Sequence, residues 1–347
     1  MIRPFAALVA ALVTALATLL ACPLAAQTPP SGPSPTFDAV RARGQLVCGT
    51  AATLPGFATV DSRGAWTGLY VDVCRTVAAA MFGDASRVRY VATTLQNRLP
   101  MLQSGEIDIL ASNTTWTLAR EASLGLQFTG VTFYDGQGFL VRRSLGVTSA
   151  RQLDGATICV QPGSTTELNL ADYFRRNGMR LTPLVIETVE EVRNAVLAGR
   201  CDAYTIGTAA LTAFRAGLGA QAADFVLLPE IISKEPLGPV VRKGDQRWFD
   251  LVRWAGYAPL LAEEFGITSA NLEARMSDPD PEVQRFLGRT GGFGTMLGVR
   301  DDWAAQVVRQ VGNAAEQWDR NVAPLGLQRG VNRLWTEGGL QYAPPAR

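Results

Sequence analysis

The stretch LQSGEIDI at residues 102–109 has a counterpart, VLAGRCDA, at residues 196–203. Each stretch has the pattern of a helix end, a glycine, one charged residue and a strand with aspartate at its second position. Glycine is common after helices because it adopts the left-handed conformation without steric cost, so coincidence is one explanation. Internal duplication is the other explanation, and the sequence around the two stretches favours it.

The same order of elements surrounds both stretches. Short apolar runs predict strands, and apolar residues at helical spacing predict the helices between them. In the first half we predict strands at 45–49, 88–91 and 107–111 and helices at 71–82 and 98–103. In the second half we predict strands at 156–161, 183–186, 202–206 and 225–228 and helices at 166–176 and 189–197. This β-α-β-α-β order predicts an α/β fold with parallel strands and right-handed crossovers.

Sheets of this kind bind ligands beyond the carboxyl ends of their strands. In the first half the loop at that edge is SNTTWT, residues 112–117, followed by Arg120. In the second half the loops are PGSTT, residues 162–166, and the pair Gly207-Thr208. The repeat places Gly207 opposite Asn113, so these loops are where a site is expected.

Two features of these loops suit a small anion. Ser164 and Thr165 open a predicted helix, where hydroxyls and free amides meet the positive helix end, although an ordinary N-cap has the same residues. Arg120 has a planar guanidinium that binds a carboxylate through two parallel bonds, although a surface ion pair would use it equally. Together they predict a site that closes on one carboxylate from two sides.

Apolar side chains near the end of the first strand are candidates for a pocket wall. Leu54, Phe57 and Trp66 lie in this region. Ligand pockets are lined mostly by apolar and aromatic side chains, and core packing is the alternative for each of the three.

The composition excludes several classes of protein. The chain of 347 residues has 32 Lys+Arg, 31 Asp+Glu and no histidine. Without histidine, Ser-His-Asp and Cys-His catalysis and His-ligated metal sites are ruled out. The near-neutral net charge argues against nucleic-acid binding. The chain has no GxxxxGK[ST] motif, so an ATPase would be a separate protein, and the sequence indicates no cofactor, no metal and no catalytic group.

The N-terminus is typical of an export signal. Arg3 precedes an uncharged, mostly apolar run that ends in small residues, and cleavage after Ala26 would release the mature, exported protein. A retained anchor and a lipid anchor at Cys22 are the alternatives. The Pro/Ser/Gly-rich stretch 27–36 is predicted to be a disordered leader. No later segment is long and apolar enough to span a bilayer.

Four cysteines remain after the signal peptide, and an even number in an exported protein suggests disulfides. Three pairings are open. Cys48–Cys74 and Cys159–Cys201 are the most local pairs, and each would stay within one half of the chain. Free buried thiols are the alternative, and the wide spacing of the cysteines argues against a zinc site.

Taken together, the chain resembles the general L-amino-acid-binding periplasmic proteins of polar amino-acid ABC importers. The resemblance extends from about residue 40 to residue 347. It is carried by LPGF (54–57), QSGE (103–106), NTTWTL (113–118), SLGL (123–126), YDGQGF (134–139), TTELNLADYF (165–174), PEIISKEPLGP (229–239) and GGLQYAPP (338–345).

The resemblance implies a two-lobe clamshell, the type 2 periplasmic-binding-protein fold. Lobe one would contain residues 37–142 and 240–347, lobe two residues 143–239, and two hinge strands would join them. The resemblance also implies a monomer that binds a small carboxylate-bearing ligand and delivers it to an inner-membrane permease with separate ATPase subunits.

The resemblance implies roles for individual residues as well. It assigns the ligand α-carboxylate to Arg120, assisted by Asn113 and Thr115 of lobe one and by Thr165 of lobe two. Four more positions complete the predicted site with Ser164: the apolar wall residues Leu54 and Trp66, and Gly207 and Tyr70.

Three positions depart from the family pattern. Gly207 stands where the family usually has an aspartate that binds the ligand α-ammonium, Tyr70 stands for a family aspartate, and Ser112 for an arginine. Losing one partner of a buried charge pair costs about 3–5 kcal/mol. We therefore expect a ligand that keeps a carboxylate but lacks a free α-amine, or an amino acid bound in a shifted pose.

Two other functions are compatible with the same fold. One is a periplasmic dehydratase of cyclic dienyl acids, with Glu167 as the nearest candidate for a general acid. The other is a binding protein that reports its ligand to a receptor instead of a permease.

Overall fold

A computed structural model of the protein describes residues 33–347. The signal peptide predicted at 1–26, Cys22 within it, and residues 27–32 of the predicted leader lie outside the described residues. No helix within the described part of the chain is long and apolar enough to cross a membrane.

The helices and strands are named in chain order. The helices are α1 (Pro35–Arg43), α2 (Leu69–Phe82), α3 (Arg98–Ser104), α4 (Leu118–Ser123), α5 (Thr165–Arg176), α6 (Val189–Leu197), α7 (Thr208–Ala216), α8 (Gln246–Glu264), α9 (Leu272–Arg275), α10 (Pro281–Phe286), α11 (Phe293–Leu297), α12 (Trp303–Val311) and α13 (Ala314–Asn321). The strands are β1 (Leu46–Thr50), β2 (Thr53–Leu54), β3 (Ala58–Val60), β4 (Trp66–Thr67), β5 (Val88–Ala92), β6 (Ile109–Leu110), β7 (Leu126–Phe128), β8 (Phe133–Asp135), β9 (Gln137–Arg142), β10 (Thr157–Val160), β11 (Thr182–Val185), β12 (Ala203–Gly207), β13 (Phe225–Leu227), β14 (Glu235–Leu237) and β15 (Val240–Arg242). Each predicted strand and helix is found within about two residues of its expected ends.

Helix α1 begins inside the stretch predicted as a disordered leader, so that prediction extended too far. The Asp245 carboxylate accepts the backbone N–H of Thr36 at 2.8 Å and of Phe37 at 3.0 Å. These two N–H groups belong to the first turn, which has no partners within its own helix. A distant carboxylate and the burial of Phe37 therefore order a segment whose composition alone favours disorder.

Two five-stranded sheets have the same arrangement. Their strand orders are β5-β1-β6-β15-β7 and β11-β10-β12-β9-β13. In each sheet the first three strands are parallel, and the fourth runs antiparallel to both of its neighbours. Strands β6 and β12, which begin at the ends of the two repeated stretches, hold the central place in their sheets. The repeat thus marks equivalent positions in two α/β lobes, and the predicted fold class is confirmed.

The chain passes between the sheets through a two-stranded antiparallel ribbon, β8 and β14, in which Glu235 lies opposite Asp135. The expected lobe boundary after residue 142 moves to this ribbon, because β9 pairs with β12 and β13 of the second sheet. The boundary expected at 239 moves to β14 for the same reason. Lobe two therefore extends from about residue 136 to residue 234.

The last third of the chain covers lobe one. Helices α8 and α12 pack against α2, whose residue Asp72 is buried. The Asp72 carboxylate accepts hydrogen bonds from Arg320 and Asn321, each at 2.6 Å. A buried carboxylate needs such partners, so these contacts fix α13 on the surface of α2.

The same C-terminal region contacts the hinge ribbon. Asn332 Oδ1 accepts the backbone N–H of Tyr134 at 2.7 Å, and Asn332 Nδ2 donates to the Tyr134 carbonyl at 3.0 Å. The ring of Trp318 stacks on Phe133 with centroids 5.7 Å apart. The hinge strand β8 is therefore positioned by residues that follow it by about 200 positions.

Both local cysteine pairings are confirmed. Cys48 and Cys74 form a disulfide between β1 and α2, with Cα atoms 6.3 Å apart. Cys159 and Cys201 form a disulfide in lobe two, with Cα atoms 5.6 Å apart. Each bond closes a loop within one lobe, so neither restricts the movement of one lobe against the other.

Candidate functional site

A small chamber lies between the two lobes, at the carboxyl ends of their parallel strands and above the hinge ribbon. Its volume is about 30 Å³, which is space for about two to three water-sized groups. The lining residues are Leu54, Phe57, Tyr70, Leu95, Arg98, Asn113, Thr115, Asp135, Ser164, Thr165, Thr166, Ile206, Gly207, Ala209, Ala210, Glu235 and Leu237. Seven of the nine predicted ligand-binding residues therefore line the chamber, and Arg120 and Trp66 do not.

Lobe two presents the start of helix α5. Ser164 is the N-cap and accepts the N–H of Glu167, while its own hydroxyl donates to the Gln161 carbonyl at 2.7 Å. The preceding Gly163 has φ +70, and a Cβ there would lie 3.1 Å from Gln96 Cα of lobe one. The lobes are thus in contact at this loop, and the helix start faces the chamber.

Lobe one contributes two buried arginines. Arg98 is 2% exposed and lines the chamber, with Nη1 donating to the Asn113 carbonyl at 3.0 Å and no partner for Nε. Arg120 is 8% exposed and donates through Nη1 to the Thr115 carbonyl at 2.9 Å. Burial lowers the pKa of both guanidinium groups, and for Arg98 the neighbouring charge of Arg120 lowers it further. The negative charge of Glu235 opposes both shifts, and the unpartnered Nε of Arg98 leaves a donor for an anion in the chamber.

A carboxylate occupies the space next to Gly207. The last residue of β8, Asp135, lines the chamber, and a Cβ on Gly207 would lie 2.4 Å from Asp135 Oδ2. Asp135 Oδ1 accepts hydrogen bonds from the Thr208 hydroxyl at 2.6 Å and the Gly136 N–H at 2.8 Å. The Asp135 carboxylate of the hinge therefore lies beside the position at which the family usually has an aspartate.

Burial raises the pKa of Asp135, and the negative charge of Glu235 contributes in the same direction. Like charges directly opposite in a ribbon destabilise each other, and these two residues are paired in register. The hydrogen bonds from Thr208, Gly136 and Ala209 oppose the shift, since they stabilise the charged form. A cationic ligand group beside Asp135 would remove the remaining penalty.

Glu235 joins the two lobes. It is 4% exposed, and its carboxylate accepts hydrogen bonds from the Thr115 hydroxyl of lobe one and, at 2.9 Å, from the Thr165 hydroxyl of lobe two. Asn169 and Ser233 donate to its other oxygen at 2.9 and 2.8 Å. The hydroxyls that the resemblance assigns to the ligand are therefore directed at Glu235 here. Within residues 33–347 no three acidic or cysteine side chains are placed to hold a metal ion.

The apolar wall is formed by a subset of the expected residues. Leu54 lines the chamber, and Phe57 packs against Tyr70 with ring centroids 5.3 Å apart. Trp66 instead lies on β4 and stacks on Tyr90, with centroids 5.3 Å apart. Trp66 is therefore half-buried against the core of lobe one, as in the core-packing alternative.

A second, larger compartment adjoins the chamber. Its volume is about 260 Å³, and it lies between the loops after β1 and β5 of lobe one and the start of α6 in lobe two. Leu54, Leu95, Asn113, Ile206 and Ala210 line both spaces, so the two are adjacent. The cleft thus has an inner charged chamber and a wider outer compartment.

Sequence reasoning missed Arg98, Asp135 and Glu235. The sequence predicts Arg98 as the first residue of a helix, and no local pattern separates it from other arginines. Asp135 and Glu235 each lie inside a stretch that carried the family resemblance, YDGQGF and PEIISKEPLGP. Charged residues in the hinge strands were the available signal, because the hinge forms the floor of the cleft.

Comparisons with known proteins bear on the family and the fold. The model of the bacterial extracellular solute-binding proteins, family 3, matches residues 46–257. The general L-amino acid-binding periplasmic protein AapJ of Rhizobium johnstonii is 51% identical over 317 residues, covering 90% of this chain and 93% of the relative. The glutamate/glutamine/aspartate/asparagine-binding protein BztA of Rhodobacter capsulatus is 50% identical over 328 residues, covering 93% of this chain and 97% of the relative.

A solved structure shows the same fold over nearly its whole length. It is an ABC transporter periplasmic binding protein from Brucella ovis with glutathione bound. Its sequence is 48% identical, its TM-score is 0.88, and the match covers 90% of this chain and 99% of that chain.

Proposed function

Because this chain belongs to family 3 of the bacterial extracellular solute-binding proteins, we propose that it is the periplasmic solute-binding component of an ABC importer. The ligand is an amino acid or a related small carboxylate. The similarity to AapJ and BztA, both named as amino-acid-binding proteins, supports this class. The export signal predicted at residues 1–26 supports the periplasmic location.

The observation that carries the proposal is the arrangement of charge in the chamber. Arg98 lines one part of it with Arg120 close behind, and Asp135 lines another part beside Gly207. A guanidinium binds a carboxylate, and a carboxylate binds an ammonium. An α-amino acid presents both groups about one carbon apart, so the chamber suits a zwitterionic head with its carboxylate toward Arg98 and its ammonium toward Asp135.

Capture depends on movement of the lobes about the β8–β14 ribbon. The chamber residues come from both lobes, so a ligand makes its full set of contacts only when the lobes are closed. Ligand binding therefore shifts the population toward the closed form by its differential contacts. The closed monomer then docks on a membrane permease whose ATPase subunits are separate proteins.

The chamber residues support ligand binding and give no support to dehydratase catalysis by Glu167. Glu167, the candidate acid for a dehydratase, does not line the chamber, and its N–H is bound by the Ser164 cap. Incubation with a prephenate-like cyclic dienyl acid should give no product. Measurable turnover that is lost in Asp135→Asn would instead show that the chamber carboxyl acts as a general acid.

The direct experiment is calorimetric titration of the mature protein with the twenty L-amino acids. We expect binding of several of them, which the altered-ligand expectation based on Gly207 does not predict. Arg98→Ala should weaken binding by roughly 2–4 kcal/mol, because a buried ligand carboxylate loses a charged partner. The exposed Arg200 provides a matched control, since Arg200→Ala removes the same charge outside the cleft. Failure of every amino acid to bind would contradict the proposal.

A further inference from the structure

We propose that the outer compartment binds the ligand side chain and ranks long neutral or cationic side chains above those that end in a carboxylate. The inference rests on the proposed function, since it requires the amino-acid head to occupy the inner chamber. It adds the chemical class of ligand that this cleft prefers.

The sizes of the two spaces assign the parts of the ligand. The inner chamber of about 30 Å³ has room for the ammonium and the carboxylate oxygens but not for a side chain of several heavy atoms. The outer compartment of about 260 Å³ adjoins it, and the two spaces share lining residues that include Leu95 and Ile206. A side chain leaving the head group therefore enters the outer compartment.

The charge of the outer compartment is negative. Glu187 and Glu190, at the start of α6, line it, and within the described chain no lysine or arginine does. The Thr94 hydroxyl of lobe one meets Glu187 Oε1 at 3.2 Å, which places this carboxylate at the junction of the lobes. A ligand carboxylate here would find two like charges and no cationic partner.

Two groups that could offset this charge are already engaged. The helix start of α6 carries a partial positive charge, but Thr188 and Glu191 form a capping box there and Glu190 lies in its first turn. The Gln161 amide donates to the Glu187 carbonyl at 2.8 Å, while its oxygen accepts from the Tyr204 hydroxyl at 2.9 Å. Both groups are therefore already partly satisfied within the protein, and neither provides a cationic partner for a ligand carboxylate.

The remaining lining suits the methylene part of a long side chain. Ala51, Ala92, Val189 and Phe214 contribute apolar surface to the compartment. Burial of one methylene contributes about 0.8 kcal/mol, so side chains of three or four carbons gain affinity over alanine. Glutamine, arginine and lysine combine this length with an end group that donates hydrogen bonds to carboxylates.

Glutamine and glutamate provide a nearly isosteric pair for the test. We expect glutamine to bind about three- to tenfold tighter than glutamate at low ionic strength, a modest ratio because both glutamates of the compartment are exposed. Arginine should bind at least as tightly as glutamine, and alanine more weakly. The ratio of glutamine to glutamate affinity should shrink in 0.5 M salt, where screening is nearly complete.

The double variant Glu187→Gln/Glu190→Gln should bring the ratio close to one by raising the affinity for glutamate. The double variant Asp224→Asn/Glu337→Gln is the control, since it makes the same change in net charge at two exposed positions outside the cleft. Glutamate binding as tightly as glutamine, alanine binding as tightly as glutamine, or an unchanged ratio in the first double variant would overturn the inference. Loss of binding to every amino acid would instead overturn the proposed function.

Discussion

Gly163 provides a test of lobe closure that is separate from the chemistry of the chamber. It lies in the loop before helix α5 with φ +70, directly against the backbone of Leu95 and Gln96 in lobe one. The change is Gly163→Ala, and Gly199→Ala is the control. Gly199 also has φ +70, but a Cβ there would have no atom within 4 Å.

Both variants carry the conformational cost of a left-handed backbone, and only Gly163→Ala also creates a steric contact between the lobes. A left-handed conformation costs a non-glycine residue about 1–2 kcal/mol, so both should lose this amount of stability against unfolding. In Gly163→Ala the new Cβ would also lie 3.1 Å from Gln96 Cα and 3.2 Å from the Leu95 carbonyl oxygen. Comfortable separation is about 3.5–4.0 Å, so the closed lobes must move apart by about half an ångström.

The steric contact exists only when the lobes are closed, so it disfavours the closed form and weakens the affinity for ligand. A loss of about 1–2 kcal/mol of closure free energy would weaken affinity by about 5- to 30-fold. Calorimetry with a bound amino acid measures this, and small-angle scattering of the ligand-saturated protein reports whether the closed form is reached. Equal affinities in the two variants would refute the contact between this loop and lobe one.

Three further outcomes follow from the site and the hinge. Asp135→Asn should weaken amino-acid binding by about 3–5 kcal/mol, measured by calorimetry, because the ammonium loses its charged partner. Since burial raises the pKa of Asp135, wild-type affinity should fall as the pH is lowered through that raised value, and in Asp135→Asn this pH dependence should be absent. The raised pKa of Asp135 also affects folding: the free energy of unfolding falls as the pH rises from the ordinary aspartate pKa to the raised pKa. Thermal unfolding of ligand-free Asp135→Asn should therefore show higher stability than wild type at neutral pH. Gly207→Ala should weaken amino-acid binding, because the new Cβ would displace the Asp135 carboxylate. It should cost little stability, because the φ of −53 at residue 207 suits alanine. An unchanged affinity would contradict the placement of that carboxylate. Asn332→Ala should lower the free energy of unfolding by about 1–3 kcal/mol in chemical denaturation, because it leaves the N–H and carbonyl of Tyr134 in β8 without partners. Asn321→Ala is the comparison, since it removes a contact of the same C-terminal region that lies away from the hinge.

The sequence was sufficient for the elements and their order. Strands and helices depend on local periodicity, and glycines such as Gly105 and Gly199 end helices whatever surrounds them, because only their own backbone must turn left-handed. The two local disulfide pairings could also be predicted from the sequence, since the repeat places each cysteine pair within one half of the chain. The sequence does not predict that β9 belongs to lobe two, because an apolar strand carries no signal of which sheet it joins.

The charges of the chamber were decided by tertiary structure. The sequence correctly indicated a cleft between two strand-end edges, and Asn113, Thr115, Ser164 and Thr165 lie there as expected. Which guanidinium enters the chamber, Arg98 or Arg120, depends on how α3 and α4 pack. The carboxylate beside position 207, where the family usually has an aspartate, belongs to residue 135, 72 positions earlier in the chain. One place in space can be reached from several positions in a sequence, and only the packing of β8 against β12 and α7 determines which side chain fills it.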